Sequence, residues 1–355
     1  MNIYQETVSL ILTYKINAMR TRIYLLVLFL ASFTVHAQNN IDDLLAAGID
    51  DAKRFSADYL APATEGLTYG INNGWFNHAK GQKQFGFEIG LVLNTSFIND
   101  SKKSFEMRVS DYNNIRFPDN SASKTVATAL GHNNPDITVI VTYDDPIFGN
   151  QETEITLPSG IGSSGINFIP TAFLQASFSP FRGTQIKARY FPKIETEDVK
   201  TGLYGFGIQQ EFTAWLPRDK YFPVAISGLI AYTHLDGSYD FTNTNIVEGS
   251  GQKVTTDINT LLFELIASTN FKVLNAYGAL GYLSGKSNTD LLGTYMVTDG
   301  FIYSEKIVDP FSIEEKVSGV RTTLGAQVKL GFFAINLDYT FAKFDSASLG
   351  LNFSF

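Results

Sequence analysis

The chain has 355 residues, of which 44% are apolar, 14% aromatic and only 17% charged, with a formal net charge of −8 and no cysteine. That apolar share excludes a disordered chain, and the acidic balance disfavours nucleic-acid binding, which needs a cationic surface for the phosphate backbone. Missing cysteines remove disulfides, thiolate nucleophiles and Cys-ligated zinc, while few charges with 29 glycines and 11 prolines make a strand-and-turn composition.

The first residues read as an address. Arg20 and Arg22 precede the apolar run Ile23–Phe33, and Val35-His36-Ala37 offers small residues two apart for cleavage. The run is shorter than the roughly 20 residues of a spanning helix. Residues 1–37 are therefore expected to be a secretory signal peptide, with Met19 as the true start.

Residues 38–80 differ in kind from the remainder of the chain. Ile41, Leu44, Leu45, Gly48, Ala52, Phe55, Tyr59 and Leu60 recur at helical spacing, with Asn40 as N-cap, Asp42 and Asp43 in the first turn and Pro62 beyond the end. A helix of about 20 residues and about 30 Å is expected. Gly66 to Lys80 is glycine-rich and too irregular for a strand. An apolar stripe needs a partner, which places this helix and plug segment at a barrel mouth or inside its lumen. Leu44, Leu45, Phe55, Tyr59, Trp75 and Phe76 are then candidates for an apolar surface that takes an acyl chain or another hydrophobic small molecule.

From residue 81 onward the pattern is period-two alternation over unusually long runs. Phe333, Ile335, Leu337, Tyr339 and Phe341 alternate with Ala334, Asn336, Asp338, Thr340 and Ala342, and Val320, Thr322, Leu324, Ala326, Val328 and Leu330 oppose Arg321, Thr323, Gln327 and Lys329. A soluble sandwich of this size would need more charge to cover it. An apolar exterior around a polar lumen fits, so 81–355 is expected to be an antiparallel transmembrane β-barrel. Ten strands are expected, near 82–98, 166–179, 184–196, 199–215, 221–240, 252–268, 272–286, 317–330, 332–344 and 347–355. Further pairing within 99–165, where Phe105–Val109 and Ile137–Thr142 alternate, leaves a count of 12 to 14 open.

Short turns near 179–183, 216–220 and 269–270 contrast with long polar loops at 99–165, 241–251 and 287–316, which assigns the turns to the periplasm and the loops to the outside. Trp215, Tyr221, Phe222 and the Tyr190-Phe191 pair fall at strand ends, where a membrane-interface belt belongs. Glu88, Lys187, Arg189, Glu211, Glu264, Arg321, Lys329 and Asp338 occupy the polar phase and are expected to line the lumen. Cross-strand ion pairs of Arg189 with Glu211, and of Arg321 or Lys329 with Asp338, are expected. Arg189 or Arg321 is also the candidate partner for a ligand carboxylate, because guanidinium matches it bidentately.

Catalytic signals are thin. Beyond residue 37 only His78, His132 and His234 occur, and His234 beside Asp236 lies at a strand end. No enzyme activity, cofactor or metal is expected, and acidic pairs such as Asp144-Asp145 and Glu314-Glu315 offer at most a cation bridge to lipopolysaccharide.

The last residues, Leu349, Leu351, Phe353 and Phe355 alternating with Gly350, Asn352 and Ser354, resemble the C-terminal signal read by barrel-assembly machinery. Gly74-Trp75-Phe76 with Ala79, Thr184 to Pro192, Gly205-Phe206-Gly207-Ile208, and Phe222-Pro223-Val224 with Ile226-Ser227 and Ala231-Tyr232-Thr233 resemble a domain-of-unknown-function family of outer-membrane barrels of Bacteroidetes-type bacteria. That resemblance spans residues 41–355. Where the family often carries a histidine or basic residue after the Gly-x-Gly strand, this chain has Gln209-Gln210-Glu211. More distantly, the segment before the barrel is similar to the long-chain fatty-acid transporter superfamily. The resemblances imply a bacterial outer-membrane location, contact with outer-membrane lipid and lipopolysaccharide, and a channel or transporter for small hydrophobic molecules. A structural or adhesion barrel acting through its loops is the alternative.

Overall fold

The computed structural model describes residues 43–145, 149–195, 199–215, 224–240, 247–299 and 302–355. The expected signal peptide, the Asn40 cap, Tyr221 and Phe222 lie outside them. A 3-10 turn, Asp43–Ala47, leads into helix α1, Ile49–Gly70. Strand β1 (Phe87–Phe97) comes next, then five short strands: β2 (Ser104–Arg108), β3 (Ile115–Arg116), β4 (Ser123–Ala127), β5 (Thr138–Asp145) and β6 (Gly149–Thr156). The longer strands are β7 (Phe168–Phe181), β8 (Thr184–Glu195), β9 (Val199–Glu211), β10 (Val224–Asp240), β11 (Val247–Thr269) and β12 (Leu274–Asp299). They are completed by β13 (Ile302–Val308), β14 (Phe311–Leu330), β15 (Phe333–Phe341) and β16 (Ser346–Ser354).

Ten of these strands close a barrel. The order runs β11-β10-β9-β8-β7-β1-β16-β15-β14-β12, and β11 pairs with β12 to close it. Every pairing is antiparallel, and β1 joins the last strand with Leu91 opposite Leu351. Closure pairs the backbone groups that an open edge would leave to hydrocarbon. The larger counts of 12 to 14 are corrected: Phe105 and Ile140 belong to small separate sheets, β2-β4 and β3-β5-β6. Their apolar side chains find a core against α1 instead of on the barrel's outer face.

The outer face is greasy all round. On β14 the outward residues Val320, Leu324, Val328 and Leu330 are exposed, a run that matches the roughly 9–11 residues of a tilted membrane strand. Phe85, Phe181, Trp215, Phe271, Phe332 and Phe355 ring the turn end, and Tyr190, Tyr204 and Tyr282 stand on the exposed face farther along. Beyond that band the outer face turns polar: Lys286 and Lys316 both pair with Glu314. The expected loop at 287–316 is therefore a correction, because β12, β13 and β14 continue there as strands. Outward polar residues erase the apolar alternation, while inward Leu291 and Tyr295 keep the strands packed on a core.

That core belongs to a cap at the loop end. Leu44, Leu45, Phe55 and Tyr59 pack with Met107, Ile115, Phe117, Val126, Val139 and Val141 of the 99–165 region. Asp51 accepts from the backbone N–H groups of Asn113 and Asn114 at 2.8–3.0 Å. Tyr59 donates to the Ser159 carbonyl, and burial pushes its phenol pKa up, so it remains a donor. Pro62 lies inside α1, not beyond its end. A mid-helix proline costs about 3 kcal/mol, and burial of Tyr59, Thr64, Thr68 and Tyr69 on both sides of it offsets that cost. The last turns enter the barrel mouth at Gly66, where a Cβ would come within 3 Å of Ile169 and Phe344, and at Gly70, where one would stand 3.2 Å from the Ser96 hydroxyl.

Candidate functional site

Below Gly70 the chain runs through the lumen from the loop end to the turn end. The inward phases of the wall strands meet it successively. Ile71 ends α1, its N–H bonded to Leu67. Asn72 accepts from Thr233 and Thr260 and donates back to Thr260. Asn77 donates to Glu88, Ala79 N–H donates to Ser268, Gly81 N–H donates to Glu211 at 2.7 Å, and Lys80 reaches Asn270 at the turn end.

Cations on adjacent inward positions grip the middle of this segment. Alternation on β8 puts Lys187 and Arg189 on one face, 4% and 2% exposed. Arg189 donates to the carbonyls of Ile71 (2.7 Å) and Asn73 (3.0 Å) and to Gln175 Oε1 (2.9 Å). Its guanidinium carbon lies 3.8 Å from the Trp75 ring centroid and 3.9 Å from that of Phe173, so it is sandwiched between two π faces. Lys187 donates to the Trp75 carbonyl at 2.9 Å. Arg321 donates to Asn72 O (3.2 Å) and Asn73 Oδ1 (2.7 Å), and its Nε stands 3.2 Å from Glu264 Oε1. Buried charges persist only when paired or well hydrogen-bonded; here the segment's carbonyl dipoles supply much of that pairing.

The Trp75 indole needs a floor without side chains. Inward Gly205 and Gly207 supply it, since a Cβ at either would come within 3.1 and 3.2 Å of the ring. Phe76 packs edge-on against Tyr277, whose hydroxyl donates to Asp338 at 2.8 Å. Gln209 donates to the His78 carbonyl and to Ser227.

All eight charged candidates fall on the inward phase. Glu88, Lys187, Arg189, Glu211, Glu264, Arg321 and Asp338 are gathered around the segment or the wall network beside it, whereas Lys329 is exposed at the turn end. The pairing differs from expectation: Arg321 faces Glu264, Arg189 binds carbonyls, Glu211 binds Gly81 and Thr213, and Asp338 binds Tyr277. Single-strand alternation fixes a face but not which residues of neighbouring strands share a level. Leu44, Leu45, Phe55 and Tyr59 are buried in the cap, and Trp75 and Phe76 in the lumen, each against the chain itself. The expected apolar mouth surface is thus filled, and both candidate arginines are engaged. Phe173, Gln175, Gln209, Asn72, Asn73 and Tyr277 join the site without a sequence signal of their own; the inward Gly-x-Gly at 205–207 is the one pattern that marks a large ring seated opposite.

His234 points outward, its Nδ1 2.9 Å from Asn259 Oδ1 and its ring 4.9 Å from that of Tyr204. Glu314 is held by two lysines, and the side chains of Asp144 and Asp145 lie outside the described residues. Among the described residues no group of three His, Asp or Glu could hold a metal ion.

Several solved structures are similar to this chain at low identity. Ail, the attachment invasion locus protein of Yersinia pestis, is 9% identical, with 77% of this chain and 99% of that one covered and a TM-score of 0.26. The translocator domain of the autotransporter NalP from Neisseria meningitidis is 10% identical over 90% and 99%, TM-score 0.28. A Pseudomonas aeruginosa FadL homologue is 10% identical over 87% and 96%, TM-score 0.23. No curated protein matches the sequence. A family of unknown function, DUF6588, matches residues 18–355, and the chain belongs to that family.

Proposed function

We propose that the protein is an outer-membrane barrel with a sealed lumen that acts through the folded cap at its loop end, as a structural or adhesion barrel. The observation that carries this reading is the grip of Arg189, Lys187 and Arg321 on the carbonyls of residues 71–75. Those contacts use the groups that would otherwise line a passage. The exposed apolar band supports a location in lipid, with the loop-end cap outside. The outward Phe353 and Phe355 would suit recognition by assembly machinery, and the Lys286–Lys316 rim beyond the apolar band would suit anionic lipopolysaccharide headgroups. The reading assigns no reaction to the protein.

Gated passage is the second reading. Buried polar atoms in the lumen without a hydrogen-bond partner, among them Trp75 Nε1, Asn73 Nδ2 and Glu264 Oε2, favour it, because they would suit a hydrated path if the segment moved. Proteoliposome swelling in small sugars, together with uptake of a labelled fatty acid, separates the two. The sealed barrel gives neither; permeation by the unmodified protein at rates above protein-free vesicles would replace it with a transporter.

A further inference from the structure

The two ends of the described chain leave the barrel at opposite mouths. Residues 43–60 are built into the cap with the 99–165 region and with Leu291 and Tyr295 of β12 beyond the apolar band. Gly81 and Lys80 emerge at the other mouth, against Gly183 and Asn270, both in turns. The chain then enters β1 there, with Phe87 and Phe355 exchanging backbone hydrogen bonds. An even number of strands returns the chain to the turn end, so the path from α1 to β1 is an additional crossing. Fully extended, the run from Gly70 to Gly81 reaches at most about 40 Å, enough for a hydrocarbon core of about 30 Å.

The wall holds this run largely by its main chain. Arg189, Lys187, Gln175, Arg321 and Gln209 donate to the carbonyls of residues 71, 72, 73, 75 and 78, and Ser268 and Glu211 accept from the N–H groups of residues 79 and 81. Such atoms are common to every polypeptide. A wall of long donors with glycines between them recognises this turning backbone largely through its peptide groups, with the Trp75 ring seated on Gly205 and Gly207 and the Asn72, Asn73 and Asn77 side chains bonded to the wall as well.

We infer that the chain crosses the membrane an eleventh time, as a single irregular segment of turns and bends through its own lumen, so that α1 faces the outside while the turns and Phe355 face the periplasm. The inference rests on the outer-membrane reading with the cap outside. It means that the N-terminal part of α1 passes through the barrel before or as the barrel closes, with the wall donors exchanging one carbonyl for the next.

The absence of cysteine makes single-cysteine labelling direct. Lys53→Cys on α1, Asp136→Cys in the cap and Arg182→Cys in the β7–β8 turn sit at exposed positions. A membrane-impermeant maleimide applied to intact cells is expected to label the first two, and to label Arg182→Cys only after the outer membrane is permeabilised. Labelling of Asp136→Cys in intact cells while Lys53→Cys needs permeabilisation would overturn the eleventh crossing and leave the outer-membrane reading standing. Labelling of Arg182→Cys but not Asp136→Cys in intact cells, or absence from the outer-membrane fraction, would overturn the reading itself. In the Lys53→Cys background, exchanging Asn77 and His78 for alanine should leave the labelling of intact cells unchanged. Loss of that labelling in heat-modifiable, folded protein would overturn recognition through the main chain.

Discussion

Arg189 lies 3.8 Å over the Trp75 ring and donates to the carbonyls of Ile71 and Asn73 on the N-terminal side of that residue, so one buried guanidinium fixes both the indole and the backbone that leads to it. Arg189→Gln keeps a donor but loses the charge and the reach. Each carbonyl left buried without a partner costs about 1–3 kcal/mol. In a Trp215→Phe background, Trp75 is the one remaining tryptophan. Its emission is expected to shift red and become quenchable by acrylamide in the variant, and to stay protected in the parent.

Arg321 and Glu264 form an ion pair with side chains 2% and 1% exposed. Breaking such a pair from one side costs about 3–5 kcal/mol because a charge is left uncompensated, while replacing both partners with apolar residues is far milder. Glu264→Leu should therefore lower the urea unfolding midpoint strongly. Arg321→Met combined with Glu264→Leu should recover a large part of that loss. Additive losses in the double variant would show that the two groups do not couple.

Gly207 gives Trp75 its seat, with Ala231 crowding the same space. Gly207→Val should push the indole off the wall, and Trp75→Ala in the same chain should restore the folded yield. Equal yields for Gly207→Val with and without Trp75→Ala would mean that the indole does not determine this position.

Phe355 points outward at 77% exposure, whereas the Ser354 hydroxyl donates inward to Glu88 at 2.7 Å. Phe355→Asp is expected to reduce the folded, heat-modifiable band in outer membranes severalfold, and Ser354→Ala to leave it nearly intact. An aspartate at 354 would be a poor control, since it would face Glu88.

Most of the barrel was legible because its apolar outer face and its polar lumen impose opposite chemistry on alternate residues. Runs such as Phe333–Phe341 therefore declare their strand and their inward face. The legibility ends where the outer face meets water. On β12 and β14, Lys286, Glu314 and Lys316 replace apolar residues, and the strands continue unseen into a region expected to be loop. The site shows the same division. Alternation put Arg189 and Arg321 inside but could not supply the level of each strand, which pairs Arg321 with Glu264 instead of Asp338. The plug segment was visible as glycine-rich and irregular, yet most of its bonds run from side chains of the wall to its own backbone, and backbone acceptors leave no trace in a sequence.

The central claim is that residues 71–81 seal the lumen, and single-channel recording in planar bilayers tests it most directly. The unmodified protein should insert without stepwise conductance, and a variant with Arg189→Gln, Lys187→Gln and Arg321→Gln together, which frees the segment from its three cations, should show discrete openings. Steady ohmic conductance from the unmodified protein, unchanged in the triple variant, would contradict a sealed lumen.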